Sequence, residues 1–235
     1  MGDLCRSAML RSSLSRSALA LGAARAVEAG GRGIADLRRD AWGHGLLAVA
    51  QAVTAAGARA VRVDGDAEIE ALRFEGVVAT VDEEPDLDPR LLYGLPDAEG
   101  RLPGAPAMRV VGRVLSTKAI AAGGGVSYGY IHRAPQDSRL ALVTGGYAQG
   151  ILRGLSGRIS VDIGGEVLPV VGRIAMDVCV VDIGDAVVAP GDEVTYFGGG
   201  GPLAGALADW SRISGLGIAE LVAVIGQKTE RSWEQ

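Results

Sequence analysis

Lysine is almost missing from this chain of 235 residues: it stands only at Lys118 and Lys228, against 21 arginines. Because lysine is the side chain that forms Schiff bases with carbonyl compounds, any such chemistry has few places to go. Histidine (His44, His132) and cysteine (Cys5, Cys179) also occur twice each. Pairs so far apart give no zinc-ligand spacing and no disulfide framework, so no metal site is expected and the thiols read as reduced and cytoplasmic. No apolar run approaches the roughly 18 residues of a spanning helix, which sets a membrane aside. Basic charge is not in excess either: 23 basic against 28 acidic side chains give a net −5 and a pI near 5.1. Without a basic stripe there are few counterions to exchange, so nucleic acid is set aside too. Neither G-x-G-x-x-G nor G-x-x-x-x-G-K occurs, which removes the dinucleotide fingerprint and the P-loop. What remains is globular in composition, 48% hydrophobic and 22% charged, with 36 glycines and length for one large or two small domains.

Along the chain the texture changes once. The first residues, MGDLCRSAMLRSSLSRSALALG, are Arg- and Ser-rich and superficially suit a transit peptide. They carry no contiguous apolar core, and Ser15 and Ser17 before an Ala/Leu run read better as the start of a first helix that ends at Gly30-Gly31. Residues 33–38 form a candidate short strand. After them Leu46, Val49, Ala50 and Val53 recur at helical spacing until Gly57. The alternating RAVRVD (59–64) predicts a strand, Asp66 is placed to cap a short helix through Arg73, and GVVATV (76–81) predicts one more strand. EEPDLDPR and GLPDAEGRLPGAPA, rich in Pro, Gly and acid, read as a connector. From Met108 onward short apolar runs alternate with turn residues, the pattern of an all-β barrel or sandwich. One helix and a final mixed element are expected in 203–225. The division falls near residue 106, giving segments 1–106 and 107–235.

Two local patterns carry alternatives. Gly125-Val126-Ser127-Tyr128-Gly129 matches the G-x-S-x-G of a hydrolase elbow, which needs a strand, a sharp turn and a helix. Another strand is expected to follow instead, and no later histidine completes a triad. The glycine runs at 123–125 and 198–201 read as turns. His44, between Gly43 and Gly45 at a strand-to-helix turn, is either functional, as such turns often are in α/β folds, or a turn histidine bonded to local backbone.

RRDAWGHG (38–45) resembles the K-A-[DN]-A-Y-G-H-G signature of bacterial alanine racemases. The second half is more similar still: MRVVGRVLSTKAIAAGGGVSYGYIHR (108–133), GGYAQG (145–150), PVVGRIAMD (169–177) and APGDEVTYFG (189–198) follow the family's order. DPRLLYGL (88–95) resembles the family's barrel exit. The resemblance covers roughly residues 15–75 and 88–233. It implies a fold made of a partial (β/α) barrel remnant, the family having a TIM-type (β/α)8 barrel, followed by an all-β C-terminal domain of alanine racemase type.

The resemblance also implies roles. The family interconverts L- and D-alanine, an isomerase reaction that supplies D-alanine for cell wall, using pyridoxal phosphate. Tyr128 in VSYG matches the catalytic tyrosine, which serves the active site of the partner subunit. Tyr147 matches a tyrosine at the substrate entrance, and Met176 the residue whose backbone N–H holds the substrate carboxylate. A racemase needs acid/base groups on opposite faces of a carbanion, and tyrosine can be one of them.

The chain departs from the family at two of these positions. Arg38 occupies the place of the Schiff-base lysine, and a guanidinium is permanently protonated and poorly nucleophilic. Trp42 replaces a phosphate-binding tyrosine. A full (β/α)8 barrel takes about 250 residues, whereas 106 suffice for two or three βα units. The expectation is therefore a racemase-family protein defective as a stand-alone catalyst, with cofactor binding in doubt. Its open strand edges are expected to be covered by a second chain, in a homodimer or in a heterodimer with a full-length racemase to which it lends Tyr128. The remaining alternative is an inactive remnant.

Overall fold

The computed structural model describes residues 9–234; Cys5 and the opening residues of the transit-like stretch lie outside them. Strand β1 (Arg11–Ser15) leads directly into helix α1 (Arg16–Glu28), with Ser15 as N-cap accepting the Ala18 amide at 3.1 Å. The sequence reading places the helix but not the strand. RSSLS lacks the usual apolar alternation because β1 is flanked on both sides, antiparallel by β5 (Met108–Ile120) and parallel by β13 (Glu230–Glu234). Small serines fit there, and Ser12 and Ser13 are buried. Ser12 shares a 2.6 Å hydrogen bond with Thr229, and the Ser13 hydroxyl donates to Glu234.

Next come β2 (Ile34–Asp36), α2 (Leu46–Ala55), β3 (Ala60–Arg62), α3 (Asp66–Phe74) and β4 (Ala79–Thr80), which form an open three-stranded parallel sheet in the order β2-β3-β4. This is the βα alternation expected of a partial barrel. Asp66 turns out to be the first residue of α3 and not its cap, which is Gly65; the acid still favours the positive end of the helix dipole. Register puts Asp36, Arg62 and Thr80 side by side on one face of the sheet.

Residues 82–88 then fold back over this sheet. Asp86 and Leu87 both donate their amides to the Ile34 carbonyl, at 2.9 and 3.0 Å, and Leu87 enters the core. The outer edge of β2 is therefore covered by the chain itself, where the sequence led us to expect a second chain. Helix α4 (Pro89–Tyr93), capped by Asp88, sits within what reads in sequence as plain connector.

The second part is a closed six-stranded barrel: β12 (Glu193–Phe197), β9 (Ser160–Ile163), β10 (Glu166–Val171), β11 (Val178–Asp182), β8 (Ser138–Thr144) and β5 pair in that order, and β5 returns to β12. A small hairpin, β6 (Gly125–Val126) with β7 (His132–Arg133), projects from it. Inside the barrel the Tyr196 hydroxyl donates to the Thr144 carbonyl at 2.7 Å and lies 3.2 Å from the Cys179 sulfur. Burial raises the Cys179 thiol to about 12 and keeps it inert. The tail contains two helices, α5 (Leu207–Ser214) and α6 (Ile218–Lys228), where the sequence predicts one; Gly215 in a left-handed conformation and Gly217 as cap separate them. One continuous core joins sheet residues such as Leu37 and Val61 to barrel residues such as Val110 and Tyr196. No helix among the described residues is long and apolar enough to cross a membrane, and among the same residues no cluster suits a metal ion.

Candidate functional site

The turn after β2 is the least ordinary backbone in the molecule. Arg39, Asp40, Ala41 and Trp42 all have φ between 52° and 56°, a complete left-handed turn followed by Gly43 at φ 78°. For L-residues this costs about 1–2 kcal/mol each, so the surroundings must hold it. Asp64 accepts the Arg39 amide at 2.6 Å, and Asp40 accepts the Leu46 amide at 2.7 Å while pairing with Arg231. Ala41 is buried in the core. Gly43 meets Gly226 of α6 backbone to backbone: a Cβ on Gly43 would lie 2.6 Å from the Gly226 Cα. The C-terminal helix and strand thus clamp the turn from outside.

The clamp fixes three side chains. Arg38 leaves the end of β2 and makes a two-pronged contact with Asp36, Nε to Oδ1 at 2.8 Å and Nη2 to Oδ2 at 2.7 Å. Partial burial alone would raise the Asp36 pKa, but the hydrogen bonds and charge of Arg38 outweigh it and the carboxyl titrates below its ordinary value. Trp42 leans on Tyr93 with ring centroids 5.5 Å apart. His44 stacks on the same Tyr93 at 4.2 Å. Its Nδ1–H donates to the Ala41 carbonyl at 3.0 Å, while Nε2 is buried without a partner. Burial drives the His44 pKa from 6.5 down to about 4, so the ring is neutral at pH 7. Of the two readings of His44, local backbone bonding describes its Nδ1.

The barrel contributes a second group. Tyr128 is 81% exposed at the tip of the β6–β7 hairpin, Met176 is 55% exposed and Tyr147 40%. Backbone contacts gather their segments: the Tyr147 amide donates to the Ala175 carbonyl at 3.0 Å, Ala148 to Met176 at 2.9 Å, and the Ser127 hydroxyl to the Arg173 carbonyl at 2.7 Å. Tyr130 and Ile131, which sequence reasoning did not single out, are also exposed here. The strand expected after Ser127 is mostly a turn, since Ser127, Gly129 and Tyr130 all have positive φ. No helix follows Ser127, so the elbow geometry of a serine hydrolase is not formed. The remaining lysines lie elsewhere: Lys118 on β5, paired across the barrel sheet with Leu140, and Lys228 as the last residue of α6.

An open parallel βα sheet joined to a closed antiparallel barrel, with a glycine-rich hairpin bearing exposed tyrosines, defines the class of fold. Its solved relatives include an alanine racemase from D-cycloserine producing Streptomyces lavendulae, with TM-score 0.82 and 19% identity over 97% of this chain and 97% of that one. Another is an alanine racemase of Clostridium difficile 630, with TM-score 0.80 and 18% identity over 96% of each. In sequence, the alanine racemase of Salinispora arenicola (strain CNS-205) is 39% identical over 145 residues, 61% of this chain and 39% of the relative. That of Mycobacterium leprae (strain TN) is 40% identical over 148 residues, 61% of this chain and 38% of the relative. The chain thus spans about two fifths of the length of the curated relatives it matches. The family model for the alanine racemase C-terminal domain matches residues 107–233, more than half of the chain, and the chain belongs to the alanine racemase family.

Proposed function

We propose that this chain is a shortened racemase-family protein without independent racemase activity, which presents Tyr128, Tyr147 and Met176 to the active site of a partner subunit in the cytoplasm. The observation that carries the reading is the exposure of Tyr128, with Tyr130 and Ile131 beside it, on the hairpin that projects from the barrel. Exposed aromatic and apolar side chains gathered on one rim are the mark of an interaction surface. On this reading the chain divides near residue 106, and the barrel half does the work: Tyr128 is the acid/base group, Met176 offers its backbone N–H to a carboxylate, and Tyr147 borders the entrance.

The first half speaks against cofactor chemistry of its own. Pyridoxal phosphate needs an amine for its aldehyde and an unopposed positive surface for its phosphate. At the end of β2 the aldehyde would meet Arg38, whose guanidinium is already occupied by Asp36. Near it Asp64 and Glu84 occupy Arg39 and Arg62, so these guanidiniums are not free for a phosphate either. Trp42 brings no hydroxyl. These residues do not fit the cofactor, and the L/D-alanine interconversion of the family is assigned to the shared site with a complete subunit.

The test is complementation. A full-length alanine racemase inactivated by loss of its own catalytic tyrosine is co-refolded with this chain at several ratios. The expected result is D-alanine formation that the Tyr128→Phe chain does not restore. Failure at every ratio, with both chains folded, overturns the proposal.

A further inference from the structure

The return of residues 82–88 over the open sheet involves more than an edge contact. Asp86 directs both carboxylate oxygens into the turn before β2, where Oδ1 accepts the Ile34 amide at 2.8 Å and Oδ2 accepts the Arg32 amide. Gly31 and Gly33 hold the positive φ angles, +104° and +78°, that turn these amides toward one point. The seat is shaped for glycine, since a Cβ on Gly31 would lie 2.6 Å from the Asp86 Oδ2. Convergent backbone N–H groups of this kind are a nest, a concavity that selects anions. Two guanidiniums flank it. Arg32 reaches Asp86 at 3.8 Å and the Glu84 carbonyl at 2.9 Å, and Arg59 pairs with Glu83 while donating to the Arg32 carbonyl at 3.3 Å. Arg62, at the far end of β3 opposite Asp36, holds the same returning segment through Glu84 at 2.5 Å.

We propose that the Gly31–Ile34 turn is an anion-binding nest whose resident anion is the chain's own Asp86, so that residues 82–88 serve as an internal ligand and a phosphate-class anion takes the same seat when they are released. The charge count favours the exchange. The segment carries its carboxylates away with it, leaving Arg32 and Arg59 unpaired around two free amides. The nest lies at the start of β2, at the opposite end from Arg38, and is separate from the hairpin that the complementation experiment examines.

Chemical rescue tests this on the whole chain. In chloride buffer Asp86→Ala leaves two amides and a guanidinium without their acceptor and lowers the melting temperature by about 3–8 °C. Inorganic phosphate at matched ionic strength is expected to return most of that loss and to leave the wild-type chain unchanged. An equal response of both chains, or no response of a folded Asp86→Ala chain, overturns the proposal. If Asp86→Ala does not fold in chloride, the double variant Glu83→Gln/Glu84→Gln, which keeps the nest and loosens the segment, is melted against phosphate. Stabilisation that disappears on adding Arg32→Gln supports the nest, and its absence overturns it.

Discussion

Arg38 and Asp36, two residues apart, form a closed ion pair at the end of β2, with both carboxylate oxygens engaged at 2.7–2.8 Å. Restoring a lysine is therefore not enough to restore cofactor chemistry, because a lysine ammonium at position 38 would inherit the same carboxylate. We expect neither the wild-type chain nor Arg38→Lys to develop the visible absorbance of a pyridoxal phosphate aldimine, or its loss on borohydride reduction. An aldimine in the wild type that disappears in Lys118→Ala or Lys228→Ala would contradict this.

His44 makes stability depend on pH. Its native pKa, about 4, lies below the 6.5 of the unfolded chain. As pH falls from 6.5 toward 4 the unfolded state takes up a proton that the native state refuses, so stability declines across that window and this contribution levels off below it. The full effect is on the order of 3 kcal/mol. Melting curves between pH 4 and 7 should show a slope that His44→Asn flattens.

The Gly43–Gly226 contact should tolerate no side chain. Gly226→Ala puts a Cβ 2.7 Å from the Gly43 Cα, and with backbone on both sides neither partner can yield without moving the left-handed turn. A loss of about 2–4 kcal/mol in denaturant unfolding is expected, against well under about 1 kcal/mol for Gly154→Ala, an exposed glycine with an ordinary φ and open space where its Cβ would lie.

Tyr128 should behave in the opposite way. At 81% exposure its removal costs the isolated chain less than about 0.5 kcal/mol, yet Tyr128→Ala should abolish recovery in the complementation assay. A large drop in the melting temperature of the isolated chain would mean that the hairpin tip packs within its own subunit.

The barrel was legible because each strand is a short apolar run bounded by turn residues, and that pattern survives in VCVVD and EVTYF. The βα alternation of residues 33–81 was legible for the same reason. The rest depends on distant partners. The polar strand β1 is a strand only because β5 and β13 flank it. The left-handed course of Arg39–Trp42 follows from Asp64, Arg231 and Gly226, residues up to almost two hundred positions away. The acidic residues 82–88 look like a solvated linker until Arg32, Arg59 and Arg62 are seen beneath them. At the candidate site, the motif residues could be found by resemblance, whereas the partner of Arg38 could not, since nothing in the order of residues states which way Asp36 points.

The pairing of β1 with β13 gives the molecule a temporal constraint. During synthesis β1 meets its β5 partner well before its β13 partner has been made, so one edge of β1 stays bare until β13 emerges. Arg231, on that same late strand, reaches back to Asp40 and the Gly43 carbonyl. The strained turn is thus secured by a residue 191 positions further along the chain, and until that residue is made the turn lacks its latch.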